Sequence, residues 1–356
     1  MKKWVKILLI VLLAVVLLAA AYVAYVFISY HRIGDQPLTP VQTPDTAPSL
    51  SAGEAYTMVS WNIGFGAYEE DYGFFMDGGT ESRAWSKERL TANMDAIAGY
   101  LKQQDADFYL LQEVDTDATR SYHVDEREPL YAALFDKSSV FCQNYDSPYL
   151  LYPLTKPHGA SQSGLLTFAP VNIAAANRVE LPVEGGFMKL LDLDRCYSVS
   201  RIPVSGGKEL VLYNLHLSAY TSDGTIATEQ LKLLLADMQA EYEAGNWCVA
   251  GGDFNKDLLG DSAAWFGEAD QSYSWAQPIP AETFAGVDVS LAAPLDENDP
   301  VPSCRNADGP YHEGQYVLTV DGFLTTPNVT VSQAIVLDTG FAWSDHNPVK
   351  MTFTLS

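Results

Sequence analysis

Cysteine is scarce in this sequence, with 4 in 356 residues, and no two of them form a Cys-x-x-Cys pair. Closely paired cysteines are the usual signature of a structural zinc site, so such a site is not expected. The sequence leaves open three full disulfide pairings among Cys142, Cys196, Cys248 and Cys304. Cys248 lies in an apolar, strand-like run, which favours a buried free thiol at that position.

Basic residues are also few. The chain has 21 lysines and arginines against 45 aspartates and glutamates, and its formal net charge is −24. No cluster of lysine and arginine occurs beyond the N-terminus, whereas a protein that binds nucleic acid tightly through its phosphates normally has a basic face. The composition therefore counts against tight nucleic-acid binding. It does not exclude turnover of nucleic acid, because a bound divalent cation can supply the local positive charge.

The N-terminus carries a long apolar run, from position 7 to position 28, preceded by Lys2, Lys3 and Lys6. About 20 apolar residues suffice to cross a bilayer as a helix, and basic residues before them keep the N-terminus in the cytoplasm. The alternative is a signal peptide cleaved at the small residues 19–21, but the run continues past them for longer than a usual signal peptide. We predict an uncleaved, single-pass signal-anchor in the cell membrane, with the rest of the chain extracytoplasmic.

Composition divides the chain into three parts. Residues 1–32 form the predicted cytoplasmic tip and transmembrane anchor. Residues 33–54 are rich in Pro, Thr, Ser, Asp and Ala, a composition typical of a flexible linker. Residues 55–356 show no internal repeat and are numerous enough for one large catalytic domain.

Strand-like and helical patterns alternate through the predicted catalytic domain. Strand-like runs occupy residues 56–63, 108–112, 149–154, 164–169, 197–204, 209–217, 247–251, 316–325 and 350–355. Two helices are indicated by apolar residues on one face, namely Leu90, Met94, Ile97 and Leu101 in the first and Leu231, Leu234, Leu235, Met238 and Tyr242 in the second. Many strands with occasional long helices predict a layered α/β fold rather than an all-β barrel.

Four short polar motifs each follow an apolar, strand-like run. They are Trp61-Asn62-Ile63, Leu111-Gln112-Glu113-Val114, Gly252-Asp253-Phe254-Asn255 and Ser344-Asp345-His346-Asn347-Pro348. Strand ends and the loops beyond them are where a rigid scaffold usually presents chemistry. Four such motifs in one chain predict a single metal-dependent site.

Glu113 ends the apolar run at residues 108–111. A carboxylate at a buried strand end is costly unless it is paired or binds a metal. Oxygen ligands suit magnesium, calcium or manganese rather than zinc. The alternative is a glutamate that caps a helix or forms a salt bridge.

Asp253 and Asn255 lie two positions apart after an apolar run, so in an extended segment they face the same way. This arrangement offers one carboxylate to orient or deprotonate water and one amide to hold a phosphoryl oxygen. The glycines before them allow close approach of the backbone to a ligand. A plain Asp-x-Asn turn is the alternative.

Two histidines have a context that points to chemistry. His216 shares a strand face with Asn214, although a lone histidine on a strand is more often structural than catalytic. His346 precedes the last strand, and a histidine that transfers a proton usually needs an orienting carboxylate. We predict that Asp321 supplies that carboxylate.

In their order and distances these motifs resemble those of the endonuclease/exonuclease/phosphatase superfamily. The resemblance covers residues 56–356 and is carried by Trp61-Asn62, Gln112-Glu113-Val114, Asn214-Leu215-His216, Gly252-Asp253-Phe254-Asn255, Asp321 and Ser344-Asp345-His346. That superfamily includes deoxyribonucleases, abasic-site endonucleases, neutral sphingomyelinases and inositol-polyphosphate phosphatases. It implies a four-layer αββα sandwich with two central, mainly antiparallel sheets and the site between them at one end. Here the fold would follow one transmembrane helix, as in a membrane-anchored bacterial-type member.

The resemblance also implies a metal centre. Glu113 matches the principal ligand of Mg²⁺, with Mn²⁺ as an alternative ion, and Asn62 and Asp345 would lie beside the metal. A cation there would polarise the phosphoryl oxygen and offset the developing charge.

Five further residues match catalytic positions of the family. Asp253 would align or deprotonate the attacking water, and Asn255 would steady the phosphate. His346, oriented by Asp321, would contact the scissile phosphate. His216 would be the second histidine of the nuclease and sphingomyelinase branches.

The chain departs from the family pattern in two places. The nuclease branch supports the histidine that His216 matches with a glutamate, but residues 163–168 contain no acid, which leaves the partner of His216 open. An aromatic-rich insertion at residues 65–76 follows the Asn62 motif. We expect it to pack down as a loop with its own small core, the alternative being contact with a membrane or a nucleic-acid base.

Together these observations predict an extracytoplasmic, membrane-tethered, magnesium-dependent phosphodiesterase. The sequence leaves open whether its substrate is a nucleic acid or a phospholipid head group, and it indicates no protein partner. The alternative function is a catalytically inactive ligand-binding module on the same fold. The full set of acidic residues argues against that alternative, because a buried acidic cluster repels itself without a cation.

Overall fold

Fifteen strands and five α-helices run through the described part of the chain, residues 3–43, 48–185, 193–219, 224–267 and 275–356 of a computed structural model. The strands are β1 (Gln36–Leu38), β2 (Ala55–Asn62), β3 (Phe108–Ala118), β4 (Ser138–Asp146), β5 (Ser161–Ala169), β6 (Ala175–Glu180), β7 (Cys196–Pro203), β8 (Glu209–His216), β9 (Trp247–Asp253), β10 (Ser290–Ala292), β11 (Cys304–Arg305), β12 (Val317–Leu318), β13 (Asp321–Thr325), β14 (Val329–Val336) and β15 (Val349–Leu355). The helices are α1 (Lys3–Ser29), α2 (Lys87–Gln104), α3 (Arg127–Ala133), α4 (Thr225–Glu243) and α5 (Ala263–Phe266).

Most of these strands form two large mixed sheets. The seven-stranded sheet has the order β1-β6-β7-β8-β9-β13-β10, and the six-stranded sheet has the order β14-β15-β2-β3-β5-β4. The pairs β2–β3 and β8–β9 are parallel, and the other neighbouring strands in both sheets are antiparallel. The predicted α/β class with two central, mainly antiparallel sheets is confirmed.

Alternating apolar side chains hold the two sheets and the helices together in four layers. Inward-facing residues such as Phe108 and Leu212 form the core between the sheets. Met94 of α2 packs on the outer face of the six-stranded sheet, and Leu231 of α4 packs on the outer face of the seven-stranded sheet. Each fully buried side chain of this kind contributes about 1.5–3 kcal/mol to stability. Ser86 fixes the start of α2, because its hydroxyl oxygen accepts a hydrogen bond from the Arg89 backbone nitrogen at 3.1 Å.

One predicted strand, residues 149–154, is a loop with a single bridge between Leu150 and Gly159. Pro153 lacks the N–H that a ladder needs, and no sheet face covers Tyr152 and Leu154, which are exposed. The strand of this region is instead β4, whose interspersed polar residues conceal the apolar pattern. The predicted run 316–325 is likewise divided, into β12 and β13.

Part of the predicted linker 33–54 is ordered, contrary to the flexible spacer that its composition predicts. Strand β1 pairs antiparallel with β6, and Leu50 forms a parallel bridge with Val204. Without β1, strand β6 would be an open sheet edge with unpaired backbone groups, so this pairing satisfies hydrogen bonds that composition alone does not reveal. Residues 44–47 of this segment lie outside the described residues.

The four cysteines, all in the described part of the chain, are buried free thiols. The Sγ atoms of Cys142 and Cys196 lie 3.5 Å apart between β4 and β7, a hydrogen-bond distance that joins the two sheets. Cys248 is a buried free thiol, as its apolar surroundings predict.

The aromatic insertion at residues 65–76 packs down on itself, as expected. Phe65, Tyr68, Tyr72 and Phe74 are buried in a small cluster of their own. His158 is also buried beside it, with its ring 6.0 Å from that of Phe74. The cluster forms a separate apolar wall at the end of the sandwich.

We predict that any side chain at position 252 would destabilise the fold. A Cβ there would lie 2.0 Å from the carbonyl oxygen of Leu215, and the φ angle of +150° disfavours L side chains. Gly252→Ala should therefore lower the free energy of unfolding of the full-length protein in detergent by about 1–3 kcal/mol. Gly99 in α2 has open space around it, so Gly99→Ala is the matched control and should raise stability by about 0.5–1 kcal/mol. Equal unfolding midpoints for the two variants would contradict this account.

Because His158 is buried, we expect the stability of the fold to decrease in acid. Burial and the Arg120 charge lower the pKa of His158 to about 4, although its Nδ1 lies 3.0 Å from the Ser82 carbonyl oxygen. Below the ordinary histidine pKa of about 6.5, His158 binds a proton in the unfolded chain but stays neutral in the folded chain until the pH approaches 4. The stability of the wild type relative to His158→Gln should therefore fall by up to about 3 kcal/mol between pH 6.5 and pH 4. Unfolding curves of both proteins across this range test it, and a pH-independent difference would refute it.

Candidate active site

Strand ends from both sheets meet at one edge of the sandwich. Asn62 ends β2, beside Gln112 of the parallel strand β3. His216 ends β8 directly opposite Asp253, the last residue of the parallel strand β9, and Asp321 begins β13 opposite the same aspartate. Parallel neighbours end at the same edge, so the topology gathers these polar side chains in one cleft between the sheets.

Seven of the eight predicted site residues line this cleft. They are Asn62, Glu113, His216, Asp253, Asn255, Asp345 and His346. The eighth, Asp321, lies directly behind His346 and contacts it. The structure therefore brings together every residue that the sequence pattern singled out.

The backbone is strained at two of these positions. Glu113 has φ +55° and Asn255 has φ +49°, both in the left-handed region that non-glycine residues seldom adopt. At Glu113 the pairing of β3 with β5 shifts register between Leu111 and Val114, which turns the carboxylate out of the strand and into the cleft. Such strain is usually retained where it positions a functional group.

Asp253 is the centre of the polar contacts. Its Oδ1 accepts a hydrogen bond from the Asn255 backbone nitrogen at 2.8 Å, and its Oδ2 accepts one from Nδ2 of Asn62 at 3.1 Å. The Nε2 atoms of His216 and His346 lie 3.5 Å and 3.8 Å from the same Oδ2. One carboxylate oxygen thus faces an amide and two imidazoles that come from both sheets.

His346 is held by a carboxylate, as predicted. Its Nδ1 lies 2.7 Å from Oδ2 of Asp321. The same oxygen accepts a hydrogen bond from the Ser303 hydroxyl at 2.7 Å, and Ser303 Oγ accepts from the Asp321 backbone nitrogen at 3.1 Å. This arrangement fixes the ring and directs Nε2 toward Asp253. Ser303 is a supporting residue that no sequence motif marks.

His216 lacks a comparable support. It is buried, and among the described residues its Nδ1 has no hydrogen-bond partner. Strand β5 of the facing sheet has Ser163 and Gly164 in the stretch where the nuclease branch carries an acid. Instead, a guanidinium is near: Nη1 of Arg195 donates to the His216 carbonyl oxygen at 3.4 Å.

Glu113 has two polar neighbours in the cleft. Nδ2 of Asn62 donates to Oε1 of Glu113 at 3.3 Å, and Nη1 of Arg120 lies 3.8 Å from its Oε2. Arg120 is itself held by Asp115, whose two oxygens accept from Nε and Nη2 at 3.0 and 2.8 Å. A buried, doubly bonded guanidinium therefore stands behind the Glu113 carboxylate.

Burial and neighbouring charges shift the pKa values of these groups in different directions. It raises the pKa of Asp253 to about 7, an effect that His346 opposes and Asp321 increases. It raises the pKa of Asp345 to about 6, with Glu113 contributing. Burial alone would lower the pKa of His346, but the Asp321 carboxylate raises it well above its usual range. Burial and Arg195 lower the pKa of His216 well below that range. The site thus pairs a cationic histidine with a neutral one near neutral pH.

The donor set fits a hard divalent cation. Glu113 and Asp345 both line the cleft, and the charge of Glu113 adds to the effect of burial that raises the pKa of Asp345. Among the described residues, ligand atoms of Asp253, Asp321 and His346 also lie within 4.8 Å of one another. In that second group, however, the short contact between Asp321 and His346 already occupies Nδ1. Carboxylate oxygens suit Mg²⁺ or Mn²⁺.

Sequence reasoning missed the basic side chains of the cleft. Arg120, Arg195 and Arg305 line it although they are far apart in the chain, so no basic cluster is visible in the sequence. Arg305 is engaged by backbone carbonyls, with Nη1 donating to Gly309 at 2.9 Å and Nη2 to Glu69 at 3.0 Å. Only the fold reveals that an acidic protein carries positive charge in this cleft.

Solved structures share this architecture. An endonuclease/exonuclease/phosphatase from Beutenbergia cavernae DSM 12333 is 18% identical, with a TM-score of 0.56 over 85% of this chain and 72% of that chain. One from Bacteroides vulgatus is 14% identical, with a TM-score of 0.52 over 85% of this chain and 100% of that chain. The human Nocturnin catalytic domain with bound sulfate is 17% identical, with a TM-score of 0.52 over 90% and 98% of the two chains. At these identities the likeness shows a common fold.

A search of the curated proteins finds no match. The sequence model described as "Endonuclease/Exonuclease/phosphatase family" matches residues 59–346, which include all eight site residues. Members of that family are metal-dependent phosphoester hydrolases. With the fold, the cleft and the match over most of its length in agreement, the chain belongs to the endonuclease/exonuclease/phosphatase family and is a hydrolase of that kind.

Proposed function

We propose that this protein is a membrane-tethered, extracytoplasmic phosphodiesterase that uses Mg²⁺, with Mn²⁺ as a possible substitute. The observation that supports this most directly is the convergence on Asp253: Asn62, His216 and His346 all lie within 3.8 Å of its Oδ2. A carboxylate so placed, with a pKa near 7, is suited to orient and deprotonate a water molecule at physiological pH.

The other side chains of the cleft have complementary roles in this proposal. His346, kept cationic by Asp321, binds the non-bridging oxygens of the scissile phosphate. His216 remains neutral and contacts the phosphate or leaving group through Nε2. Asn255 Nδ2 donates to the Leu217 carbonyl oxygen at 2.9 Å, which orients its amide and leaves a second N–H for a phosphoryl oxygen.

Glu113 and Asp345 are the proposed carboxylate ligands of the cation, with Asn62 beside them. When bound, the cation polarises a phosphoryl oxygen and offsets the charge that develops on the phosphate. In the structure, Nδ2 of Asn62 donates to Glu113 while its Oδ1 accepts from the Gly64 backbone nitrogen at 3.0 Å. Asn62 therefore orients the Glu113 carboxylate as well as lying next to the ion.

Helix α1 supports the membrane part of the proposal. Among the described residues it is the one helix long and apolar enough to cross a bilayer, and the spanning part of it is not buried against the protein. Lysines at its start favour a cytoplasmic N-terminus and hence an extracytoplasmic cleft.

Asp253→Asn should lower kcat for bis-(p-nitrophenyl) phosphate by about 10²–10⁴-fold, since the amide keeps the shape of the side chain but cannot accept the water proton. Circular dichroism should be unchanged. Asp261→Asn, at an exposed aspartate outside the cleft, is the matched control and should keep wild-type turnover. Equal rates for wild type and Asp253→Asn would refute the role of this carboxylate.

Removal of divalent cations should abolish turnover reversibly. Dialysis against EDTA is expected to reduce the rate to background, and added Mg²⁺ or Mn²⁺ should restore it, because the cleft gathers carboxylates that need a cation. Glu113→Gln should raise the Mg²⁺ concentration needed for half-maximal rate. Full activity in excess chelator would exclude the metal-dependent mechanism.

Asp321 should act through His346 rather than on the substrate. Asp321→Asn and His346→Ala are each expected to reduce kcat by about 10²-fold or more, and the double variant should be no slower than His346→Ala alone. The test is a double-mutant cycle with measured kcat and KM. Multiplicative losses in the double variant would show that the two residues act independently.

A further inference from the structure

The depth of α1 in a bilayer can be placed from its length. A helix of 27 residues is about 40 Å long, whereas the hydrocarbon core is about 30 Å thick, or about 20 residues. With Lys3 and Lys6 at the cytoplasmic face, the opposite face falls near Tyr22 and Tyr25. Tyrosine is enriched at that level of a membrane, where the ring is apolar and the hydroxyl is wet.

These two tyrosines hold a loop of the catalytic domain, which we call the rim loop (residues 149–154). The Tyr22 hydroxyl accepts a hydrogen bond from the Leu151 backbone nitrogen at 3.0 Å and donates to the Tyr149 carbonyl oxygen at 3.3 Å. The Tyr25 hydroxyl accepts from the Tyr149 backbone nitrogen at 3.0 Å. The rim loop therefore lies at the depth of the lipid head groups.

The chain between α1 and the domain leaves no room for a stalk. Arg32 donates to the carbonyl oxygens of Leu193 and Leu181 at 2.9 and 3.3 Å, and Nε2 of His31 lies 3.3 Å from a carboxylate oxygen of Asp146. Strand β1 begins only seven residues after α1 ends, at Gln36 after Ser29. The end of α1 is thus fixed directly to the catalytic domain.

The rim loop exposes apolar side chains. Leu151 is 38% exposed, Tyr152 69% and Leu154 82%. Isolated apolar residues are common on soluble surfaces, but three in six residues next to a transmembrane helix form a patch suited to lipid. With a net charge of −24, the protein would be repelled by an anionic surface, so apolar contact has to provide the docking.

The same loop leads to the cleft. The ring of Tyr152 lies 5.6 Å from that of Phe75, and the Phe75 ring lies 6.2 Å from His158. His158 lines the cleft together with Phe74 and Met76. The rings of Tyr152, Phe75 and His158 therefore form a short apolar wall that connects the rim loop to the catalytic groups.

We propose that the rim loop docks on the outer surface of the bilayer that α1 crosses, and that the cleft takes its phosphodiester from the head group of a membrane phospholipid. The proposal rests on the proposed phosphodiesterase function and adds the source of its substrate. The apolar wall accepts the glycerol side of the lipid while the phosphate reaches the cleft at Asp253. Water adds to phosphorus and the bond from phosphorus to the glycerol oxygen breaks, so the products are a water-soluble phosphorylated head group and a diacylglycerol whose freed oxygen takes up a proton.

Docking is tested with an environment-sensitive fluorophore (NBD) on Leu154→Cys, in the full-length protein reconstituted in phosphatidylcholine vesicles. The native cysteines are buried, so labelling is selective. Phe135→Cys is the matched control: it is 71% exposed but precedes the far end of β4, about 27 Å along that strand from the rim loop. The Leu154 probe should emit at shorter wavelength than the control and be quenched by doxyl-labelled lipid. A water-like Leu154 probe that matches the control would overturn the docking.

The substrate is tested by combining Leu151→Ser and Leu154→Ser in one protein, with Phe135→Ser as control. Release of water-soluble phosphate head group from vesicles of phosphatidylcholine, phosphatidylethanolamine or phosphatidylglycerol is followed by ³¹P NMR. The double variant should lose about tenfold or more of this activity, since two apolar contacts with lipid are removed. Its turnover of soluble bis-(p-nitrophenyl) phosphate should stay at the wild-type rate, which also shows that it is folded.

Two outcomes separate this inference from the proposed function. If the wild type cleaves bis-(p-nitrophenyl) phosphate and plasmid DNA but none of the three lipids, the lipid substrate is refuted and the phosphodiesterase stands. If the wild type cleaves no phosphodiester with Mg²⁺ or Mn²⁺ present, the proposed function fails. Equal loss of lipid cleavage in the double variant and in Phe135→Ser would overturn the role of the rim loop.

Discussion

The burial of carboxylates between two sheets is the constraint on which the rest of this structure depends. Moving an ionised carboxylate from water into a protein interior costs several kcal/mol unless partners compensate. Asp253 and Asp321 are buried at adjacent strand ends. Both oxygens of Asp253 accept hydrogen bonds, from Asn62 and a backbone amide, and Oδ2 of Asp321 is held by Ser303 and His346, while its Oδ1 has no partner among the described residues. The sheets are positioned so that these partners arrive from both sides. Burial outweighs these donors and raises the pKa of Asp253 to about 7, the property that the proposed activation of water needs.

Hydrogen bonds between buried amides also connect the two sheets below the cleft. One layer deeper, Nε2 of Gln112 on the six-stranded sheet donates to Oδ1 of Asn214 on the seven-stranded sheet at 2.8 Å. Asn214 in turn donates to the Leu111 carbonyl oxygen at 3.2 Å. Buried amides that satisfy one another across an interface fix the register of the two layers more specifically than apolar contact does. The separation of Glu113 from Asp253 is thereby set by residues that do not line the cleft.

The sequence was informative where a local rule decides the outcome. Asn62, Glu113 and Asp253 each follow an apolar run and His346 precedes one, and polar motifs at strand ends predict a single site. The Asp321–His346 pair also followed from chemistry, because a working histidine needs an orienting acid. The family resemblance gave the four layers, which periodicity could not.

Other features depend on contacts between distant segments, and local patterns do not encode them. Arg120, Arg195 and Arg305 come together only in the folded chain. The sequence therefore did not predict that basic side chains line the cleft of this acidic protein. Strand β1 looked like a spacer because its ordering comes from the unpaired edge of β6 and not from its own composition. The run at residues 149–154 looked like a strand because apolar residues there face outward rather than into a core.

Strand β1 has a consequence for any release of the domain from its anchor. Proteolysis between Ser29 and Gln36 would free a domain with both sheets complete. A cut after Leu38 would remove the strand that covers β6 and leave a row of unpaired backbone donors and acceptors, the kind of edge that recruits a second chain. Cleavage between Ser29 and Gln36 would therefore release a soluble enzyme, whereas cleavage after Leu38 would release an enzyme that is prone to aggregate.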